Sequence, residues 1–155
     1  MKIRKISEED IPALTDVYET CFPREKLQKQ WIEANFRSFP RIVYYIVEIE
    51  STIVGYIQWS VKSGFRDNSV VELEQLAVLP GHSGKGFGSK LIEQTFELFK
   101  EHLFDLGVGV KAVYVTTREG NFAEKLYMKV LGVERSAIIK EYGSGDEVVL
   151  FKRYV

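Results

Sequence analysis

The sequence contains few residues of the kinds that bind metals or form disulfides, with one cysteine and two histidines among 155 residues. A single cysteine, Cys21, excludes an internal disulfide framework and a cysteine-rich metal site. Because His82 and His102 are the only imidazoles, a histidine-based metal centre is disfavoured too, and we expect no metal. Cys21 itself is more typical of a small core residue than of an acyl carrier.

Two further absences narrow the class of protein. No apolar run is long enough to span a membrane, and the N-terminal residues contain no apolar signal core. We therefore expect a cytoplasmic protein without a membrane partner. The 21 basic and 22 acidic residues are interspersed and give a net charge of −1. Since a dedicated nucleic-acid surface usually shows a basic excess, we expect no nucleic-acid partner.

The composition that is present suits one soluble domain over residues 1–155, with 45% hydrophobic and 28% charged residues. Apolar periodicity and turn residues predict a mixed α/β (α+β) order of elements. The predicted strands cover residues 2–6, 41–50, 53–61, 70–79, 112–116, 137–142 and 147–154, and the predicted helices cover residues 7–21, 25–36, 84–106 and 121–130. The third helix is expected to turn Phe87, Leu91, Leu98, Phe99 and Leu103 toward the core.

The most informative stretch runs from residue 70 to residue 91, where a strand ends at Pro80 and a glycine-rich loop leads into a long helix. Gly84, Gly86 and Gly88 leave the backbone open, so N–H groups in the loop can point at one anion. The start of the helix adds unpaired donors and the positive end of its dipole. This arrangement favours a phosphate or pyrophosphate ligand.

Two common glycine-loop motifs fail on spacing. A Walker A loop requires a first glycine where Leu79 stands and a hydroxyl residue where Gly86 stands. A dinucleotide-binding fingerprint requires a last glycine where Ser89 stands.

The same stretch resembles the acyl-CoA loop of the GNAT superfamily of N-acetyltransferases. In that family a strand ending in a Val-x-Pro type of sequence precedes Gln/Arg-x-x-Gly-x-Gly/Ala, and Ser83 replaces the first loop residue here. The resemblance implies a central, mostly antiparallel, splayed mixed sheet flanked by helices, with acetyl-CoA as co-substrate and an amine as acceptor. Homodimers are common in the family, so a homodimer is one option. The implied cofactor-binding residues in this stretch are Leu76, Ala77, Val78, Ser83, Gly84, Lys85, Gly86, Phe87, Gly88 and Ser89.

Carboxylates precede the loop on the same predicted strand. Glu72, Glu74, Leu76 and Val78 share one face if the strand is regular. Two adjacent carboxylates repel, and partial burial would raise the pKa of one of them, which suits a general base for an ammonium substrate. By the resemblance, Glu72 aligns with the base of some members and the Leu76 N–H polarises the thioester carbonyl. A surface or salt-bridged role for either glutamate, with water as the base, remains an equal alternative.

A second segment, from Asn121 to Tyr127, resembles the family sequence in which a tyrosine hydroxyl protonates the departing thiolate and an asparagine contacts the cofactor. Tyr127 is therefore the predicted general acid and Asn121 a predicted cofactor ligand. Asn121 lies one residue too close to Tyr127 and Gly132 one residue too far away for the usual spacing. The alternative is that Tyr127 only packs on the sheet.

The acceptor site is implied to lie around the two N-terminal helices, with Phe22, Arg24 and Trp31 as candidate substrate contacts. Large aromatic residues at helical spacing are more often core residues, so that reading stays open for Phe22 and Trp31. The predicted function is transfer of an acetyl group from acetyl-CoA to a primary amine by direct attack in a ternary complex. A non-catalytic acyl-CoA-binding sensor or partner module on the same fold is the alternative.

Overall fold

The computed structural model describes all residues, Met1–Val155, as four helices and seven strands. None of the four helices combines the length and the hydropathy of a membrane span. In chain order the elements are β1 (Lys2–Lys5), α1 (Ile11–Cys21), α2 (Gln28–Arg37), β2 (Ile42–Ile49), β3 (Thr52–Lys62), β4 (Asn68–Val78), α3 (Phe87–Asp105), β5 (Gly109–Arg118), α4 (Ala123–Leu131), β6 (Glu134–Ile139) and β7 (Glu147–Arg153).

All seven strands belong to one mixed sheet with the order β1-β2-β3-β4-β5-β7-β6. The pairs β1–β2, β2–β3, β5–β7 and β6–β7 are antiparallel, whereas β4 and β5 are parallel. The β4–β5 ladder runs from the pair Asn68–Gly109 to the pair Glu72–Tyr114, although β4 continues to Val78. This mixed, mostly antiparallel sheet confirms the predicted fold class.

Among the element boundaries that differ from the sequence expectation, three lie near a residue with positive φ. Helix α2 begins at Gln28 rather than residue 25, because Leu27 takes a left-handed conformation with φ 55°. Strand β6 ends at Ile139 rather than residue 142, and Glu141 in the following loop has φ 53°. Helix α3 begins at Phe87 rather than residue 84, because Gly84 and Gly86 have positive φ. Right-handed helices and strands exclude such angles for residues with a side chain.

Residue contacts divide the chain into two compact units. The first unit comprises Met1–Ser60 and Gln75–Phe99, and the second comprises Val61–Glu74 and Lys100–Val155. The expectation of one domain over residues 1–155 stays a prediction.

The first unit packs apolar side chains of its sheet against its helices. One cluster joins Leu14, Val17 and Tyr18 of α1 to Tyr44 and Tyr56 on the strands. A second contact places the Trp59 indole against Phe96 and Phe99 of α3, with ring centroids 5.1 and 6.0 Å apart. Leu91, Phe99 and Leu103 of α3 are fully buried as predicted, but Leu98 is 39% exposed, so its predicted core position is wrong.

The second unit covers only one face of its strands. Val113 and Val115 of β5 are buried, as are Val148 and Leu150 of β7. Tyr114, Thr116, Val149 and Phe151 alternate with these residues and stay half-exposed. Because Tyr114 lies opposite Phe151 and Thr116 opposite Val149 in the β5–β7 ladder, these four side chains share the more open face.

A charged network ties β1 to the segment before α1 and to β2. The Arg4 guanidinium donates to both carboxylate oxygens of Asp10 at 2.7 and 2.9 Å and to Glu48 at 3.2 Å. Asp10 also accepts the Ser7 backbone N–H at 2.7 Å. These donors, Arg4 first, lower the pKa of Asp10 to about 2, so the carboxylate is more stable ionised in the folded chain than in the unfolded one.

We expect Asp10→Asn to lower the melting temperature at pH 7 by about 2–4 °C, or ~1 kcal/mol after allowing for solvent screening. The lowered pKa makes the contribution of Asp10 present above the unfolded value of about 3.9 and lost as the pH falls toward about 2. The difference between wild type and variant should therefore shrink below pH 4 in thermal unfolding followed by circular dichroism. Asp16→Asn, at an exposed position of α1, removes the same charge and should change little. A difference that persists unchanged at pH 2 would contradict the ion-pair origin.

Candidate functional site

The segment between β4 and α3 is a tight backbone structure held by its own hydrogen bonds. The Leu79 N–H donates to the Val54 carbonyl at 2.8 Å and so anchors the end of β4 beside β3. Pro80–His82 form a short 3₁₀ turn, closed by bonds from His82 N–H to the Leu79 carbonyl and from Ser83 N–H to the Pro80 carbonyl. The chain therefore enters the glycine loop from a fixed direction.

Positive φ angles at two glycines set where α3 begins. Gly84 has φ 75° and Gly86 has φ 82°, values that residues with a Cβ adopt at a cost. The first helical bond of α3 runs from Lys90 N–H to the Gly86 carbonyl at 3.1 Å. The N–H groups of Phe87, Gly88 and Ser89 therefore belong to the first turn, where donors have no partner within the helix. Donors of this kind are suited to an anion, and the anion site predicted at this turn stays a prediction.

The predicted cofactor side chains around this turn differ in exposure. Ser83 and Lys85 are exposed, and the Ser83 hydroxyl donates weakly to the Leu79 carbonyl at 3.4 Å. Leu76 and Val78 are half-buried, while Ala77 is buried in the first unit's core. The predicted roles of these residues in cofactor binding stay predictions. Each role would be carried by backbone groups rather than by a side chain.

One residue that the sequence analysis missed is Gly55 in β3. A Cβ at this position would lie 2.7 Å from the Ala77 carbonyl oxygen and 3.2 Å from a methyl of Val78. Only glycine fits so close to this part of β4. An isolated glycine in a strand pattern is a known sign of such an approach, so the signal was present in the sequence.

The two candidate bases differ in burial, and their expected position on one face of β4 stays a prediction. Glu72 is 9% exposed, and its Oε2 accepts an ion-pair contact from Lys62 Nζ at 3.0 Å. Glu74 is exposed. The pKa of Lys62 is raised, chiefly by its hydrogen bond to Glu72. Sequence reasoning missed Lys62, because the pairing of β3 with β4 cannot be read from either strand alone.

The predicted acid, Tyr127, lies on α4 in the second unit. Its side chain is buried, and desolvation raises the pKa of Tyr127 to about 12. The hydroxyl therefore keeps its proton at neutral pH. Asn121 lies just before α4, where its side-chain oxygen accepts the Ala123 N–H at 2.9 Å. This bond engages the Asn121 side-chain oxygen in a local turn before α4, which competes with its predicted use as a cofactor ligand.

Of the three candidate acceptor contacts, Phe22 packs against the core, whereas Trp31 and Arg24 do not. Phe22 packs against the first unit's cluster and meets the Tyr18 ring edge-on at 5.4 Å. Trp31 is 39% exposed and Arg24 is exposed.

The nearby Cys21 thiol is half-buried and lies 3.5 Å from the Val78 carbonyl oxygen, and burial raises its pKa. A thiol that holds its proton is a poor nucleophile. No group of three or more His, Cys, Asp or Glu residues is placed to hold a metal ion.

Comparison with known families gives a match over most of the chain. The model of the family described as "Acetyltransferase (GNAT) family" matches residues 4–133. The matched range contains β4, the glycine loop, α3 and α4. A search of curated protein sequences finds no significant match.

Three solved structures illustrate the shared fold, each at low sequence identity to this chain. Ard1 from Thermoplasma volcanium is 20% identical with a TM-score of 0.78, covering 99% of this chain and 97% of that one. Ribosomal-protein-S18-alanine N-acetyltransferase from Escherichia coli is 17% identical with a TM-score of 0.78, covering 98% and 92%. An aminoglycoside 6′-N-acetyltransferase complexed with coenzyme A is 13% identical with a TM-score of 0.77, covering 99% and 97%. At these identities the likeness concerns the fold.

Gly86→Ala should lower the free energy of unfolding by ~1 kcal/mol, because alanine is strained at φ 82° even though its Cβ would meet no other atom. Thermal unfolding should show a fall of about 2–4 °C. Gly81→Ala is the matched control, since Gly81 lies five residues away in the 3₁₀ turn without a positive φ and also has open space around its Cβ. Equal melting temperatures for the two variants would refute the left-handed conformation at Gly86.

Proposed function

The chain belongs to the acetyltransferase (GNAT) family, and on that premise we propose that it transfers the acetyl group of acetyl-CoA to a primary amine by direct attack. The observation that carries the proposal is the glycine loop after β4, with positive φ at Gly84 and Gly86 directly before the first turn of α3. Phosphate groups are bound by this kind of backbone structure in many proteins.

The loop's role in the proposal is to hold the pyrophosphate of the cofactor. The N–H groups of Phe87, Gly88 and Ser89 and of the preceding loop residues donate to its oxygens, and the dipole of the 19-residue helix α3 adds to the attraction. Exposed Lys85 and Lys90 contribute positive charge nearby. Since the donors are backbone groups, the replacement of the usual Gln or Arg by Ser83 removes one side-chain contact and leaves the others.

The end of β4 is proposed to bind the amide-containing arm of the cofactor. Leu76 to Val78 lie on β4 beyond the last residue of its ladder with β5. Backbone groups of a strand can pair with an extended amide chain as they would with another strand. In this role the Leu76 N–H donates to the thioester oxygen and stabilises the negative charge that develops there as the amine attacks.

Proton transfers complete the proposed chemistry. An amine attacks only when neutral, so Glu72 or Glu74, directly or through water, takes the proton of the acceptor ammonium. Tyr127 donates a proton to the departing sulfur, a role supported by the pKa of about 12 that keeps this hydroxyl protonated at neutral pH. The C–N bond forms, the C–S bond breaks, and the products are an N-acetylated amine and the free thiol of CoA.

The acceptor is open between a small molecule and a protein amine. Two of the structural neighbours are described as acting on a ribosomal-protein alanine and on an aminoglycoside. Both are proposed here only as members of a test panel. A second candidate function is acyl-CoA binding without turnover, and the observation that favours it is the irregular spacing of Asn121, Tyr127 and Gly132.

The test is release of free thiol from acetyl-CoA across a panel of amines. Wild type should release thiol with at least one amine, and Tyr127→Phe should lower kcat roughly a hundredfold because the acid is lost. Its affinity for acetyl-CoA should be nearly unchanged, since the phenyl ring still fills the buried position. The rate of the wild type should not fall through ionisation of Tyr127 below about pH 10, given the raised pKa of about 12.

Tyr154→Phe is the control, because it removes a hydroxyl from a partly exposed residue near the end of the chain. Equal losses of kcat and acetyl-CoA affinity in Tyr127→Phe would refute the acid role. Binding of acetyl-CoA without thiol release over the whole panel would favour the non-catalytic function.

A further inference from the structure

Three side chains of the second unit, from adjacent strands, form a compact polar group. Lys62 is the last residue of β3, Glu72 lies on β4, and Tyr114 of β5 is the register partner of Glu72 in the parallel ladder. Directly opposed residues point to the same face of a sheet. Glu72 and Tyr114 therefore present a carboxylate and a phenol side by side.

The ammonium group of Lys62 lies close to both the Glu72 carboxylate and the Tyr114 ring. Its Nζ lies 3.0 Å from Glu72 Oε2 and 6.0 Å from the centre of the Tyr114 ring. A carboxylate together with an aromatic ring at this range is a typical environment for a cation. The structure thus shows these two residues binding a primary ammonium group, supplied by the chain itself.

Burial differs sharply between the two partners. The Glu72 side chain is 11% exposed, whereas the Lys62 side chain is 40% exposed. A carboxylate so far removed from water is destabilised without a positive partner. Lys62, by contrast, can swing its flexible stem into solvent at little desolvation cost. The anionic half of the pair is fixed and the cationic half is exchangeable.

The surroundings are open and carry further negative charge. Tyr114 lies on the half-exposed face of the β5–β7 ladder, with Thr116, Val149 and Phe151. Burial raises the pKa of Tyr114, and the charges of Glu72 and Glu147 raise it further while Lys62 opposes them. A cation approaching this face meets an attractive field and a wall of apolar and aromatic atoms.

We propose that Glu72 and Tyr114 form a site for an aliphatic primary ammonium group, which Lys62 occupies in the unliganded chain and which the ammonium of the acceptor takes over by displacing Lys62. The inference rests on the proposed function for the identity of that ligand and names its class, an alkyl ammonium. Exchange of one ammonium for another leaves Glu72 paired throughout, so no buried charge is exposed alone.

The displacement explains how Glu72 can act on an acceptor although it is already paired. A base must lie within hydrogen-bond distance of the proton it removes, and the 3.0 Å contact places the Lys62 ammonium at that distance. The ammonium of an acceptor that replaces Lys62 would then lie at the same distance from Glu72. Lys62 then acts as an internal competitor and lowers the apparent affinity for every cationic acceptor in proportion to its occupancy.

The experiment measures binding of n-butylamine at pH 7, without acetyl-CoA, by calorimetric or NMR titration. This probe has the chain length and the ammonium of a lysine side chain. Lys62→Met should bind it roughly tenfold tighter than wild type, as expected if Lys62 fills the site about nine-tenths of the time. Lys62→Arg should bind like wild type, and n-butanol, which lacks the charge, should not bind to any variant.

Two variants keep the test valid if Lys62→Met is unstable because Glu72 loses its partner. Lys62→Gln retains a hydrogen-bond donor without the charge and should also bind the probe more tightly than wild type. The double variant Lys62→Met with Glu72→Gln should bind n-butylamine no more tightly than wild type does. Lys140→Met removes a lysine from the exposed ion pair with Asp146 and should leave binding unchanged, which controls for net charge.

Tighter binding in the Lys62 variants that disappears with Glu72→Gln would support the site. Equal binding in wild type and Lys62→Met, or a gain that survives Glu72→Gln, would overturn it and leave the ion pair a structural contact. Because no acetyl transfer is measured, an enzyme that proves inactive toward all amines refutes the proposed function without deciding this result.

Discussion

The positive φ angles at Gly84 and Gly86 are the constraint on which the rest of the candidate site depends. They delay the start of α3 to Phe87, so the unpaired donors of its first turn come directly after the glycine loop. The bond from Leu79 N–H to the Val54 carbonyl fixes the other side of the loop. A backbone held at both ends presents its N–H groups in one orientation, which is what an anion site without specific side chains requires.

A second constraint is the burial of charge at Glu72. A carboxylate that is 9% exposed needs a positive partner, and Lys62 supplies one at 3.0 Å. In the proposed site for an alkyl ammonium, this partner is exchanged for the cation of the acceptor. On these proposals the glycine loop binds an anionic cofactor and the buried carboxylate binds a cationic acceptor.

The sequence predicted the order of the elements well, because strands such as β2 and β3 and helix α3 have clear apolar patterns and turn residues at their ends. It predicted the glycine loop because positive φ and glycine are linked by sterics. It failed at Leu27 and Glu141, which adopt positive φ without being glycine. It also missed the partners of Glu72 and Asn121. An ion pair between strands depends on register, and a bond from a side chain to the local backbone depends on local geometry, rather than on residue type alone.

Binding of acetyl-CoA to the glycine loop is tested by the melting temperature of the protein with and without acetyl-CoA, with ATP and NAD as controls. At a hundredfold excess over the dissociation constant, binding to the folded state adds about 2.7 kcal/mol, or roughly 5–10 °C for a chain of this size. A shift with acetyl-CoA alone is the predicted result. No shift with acetyl-CoA, or a larger one with ATP, would contradict the assignment of the Ser83 to Gly88 loop as an acyl-CoA site.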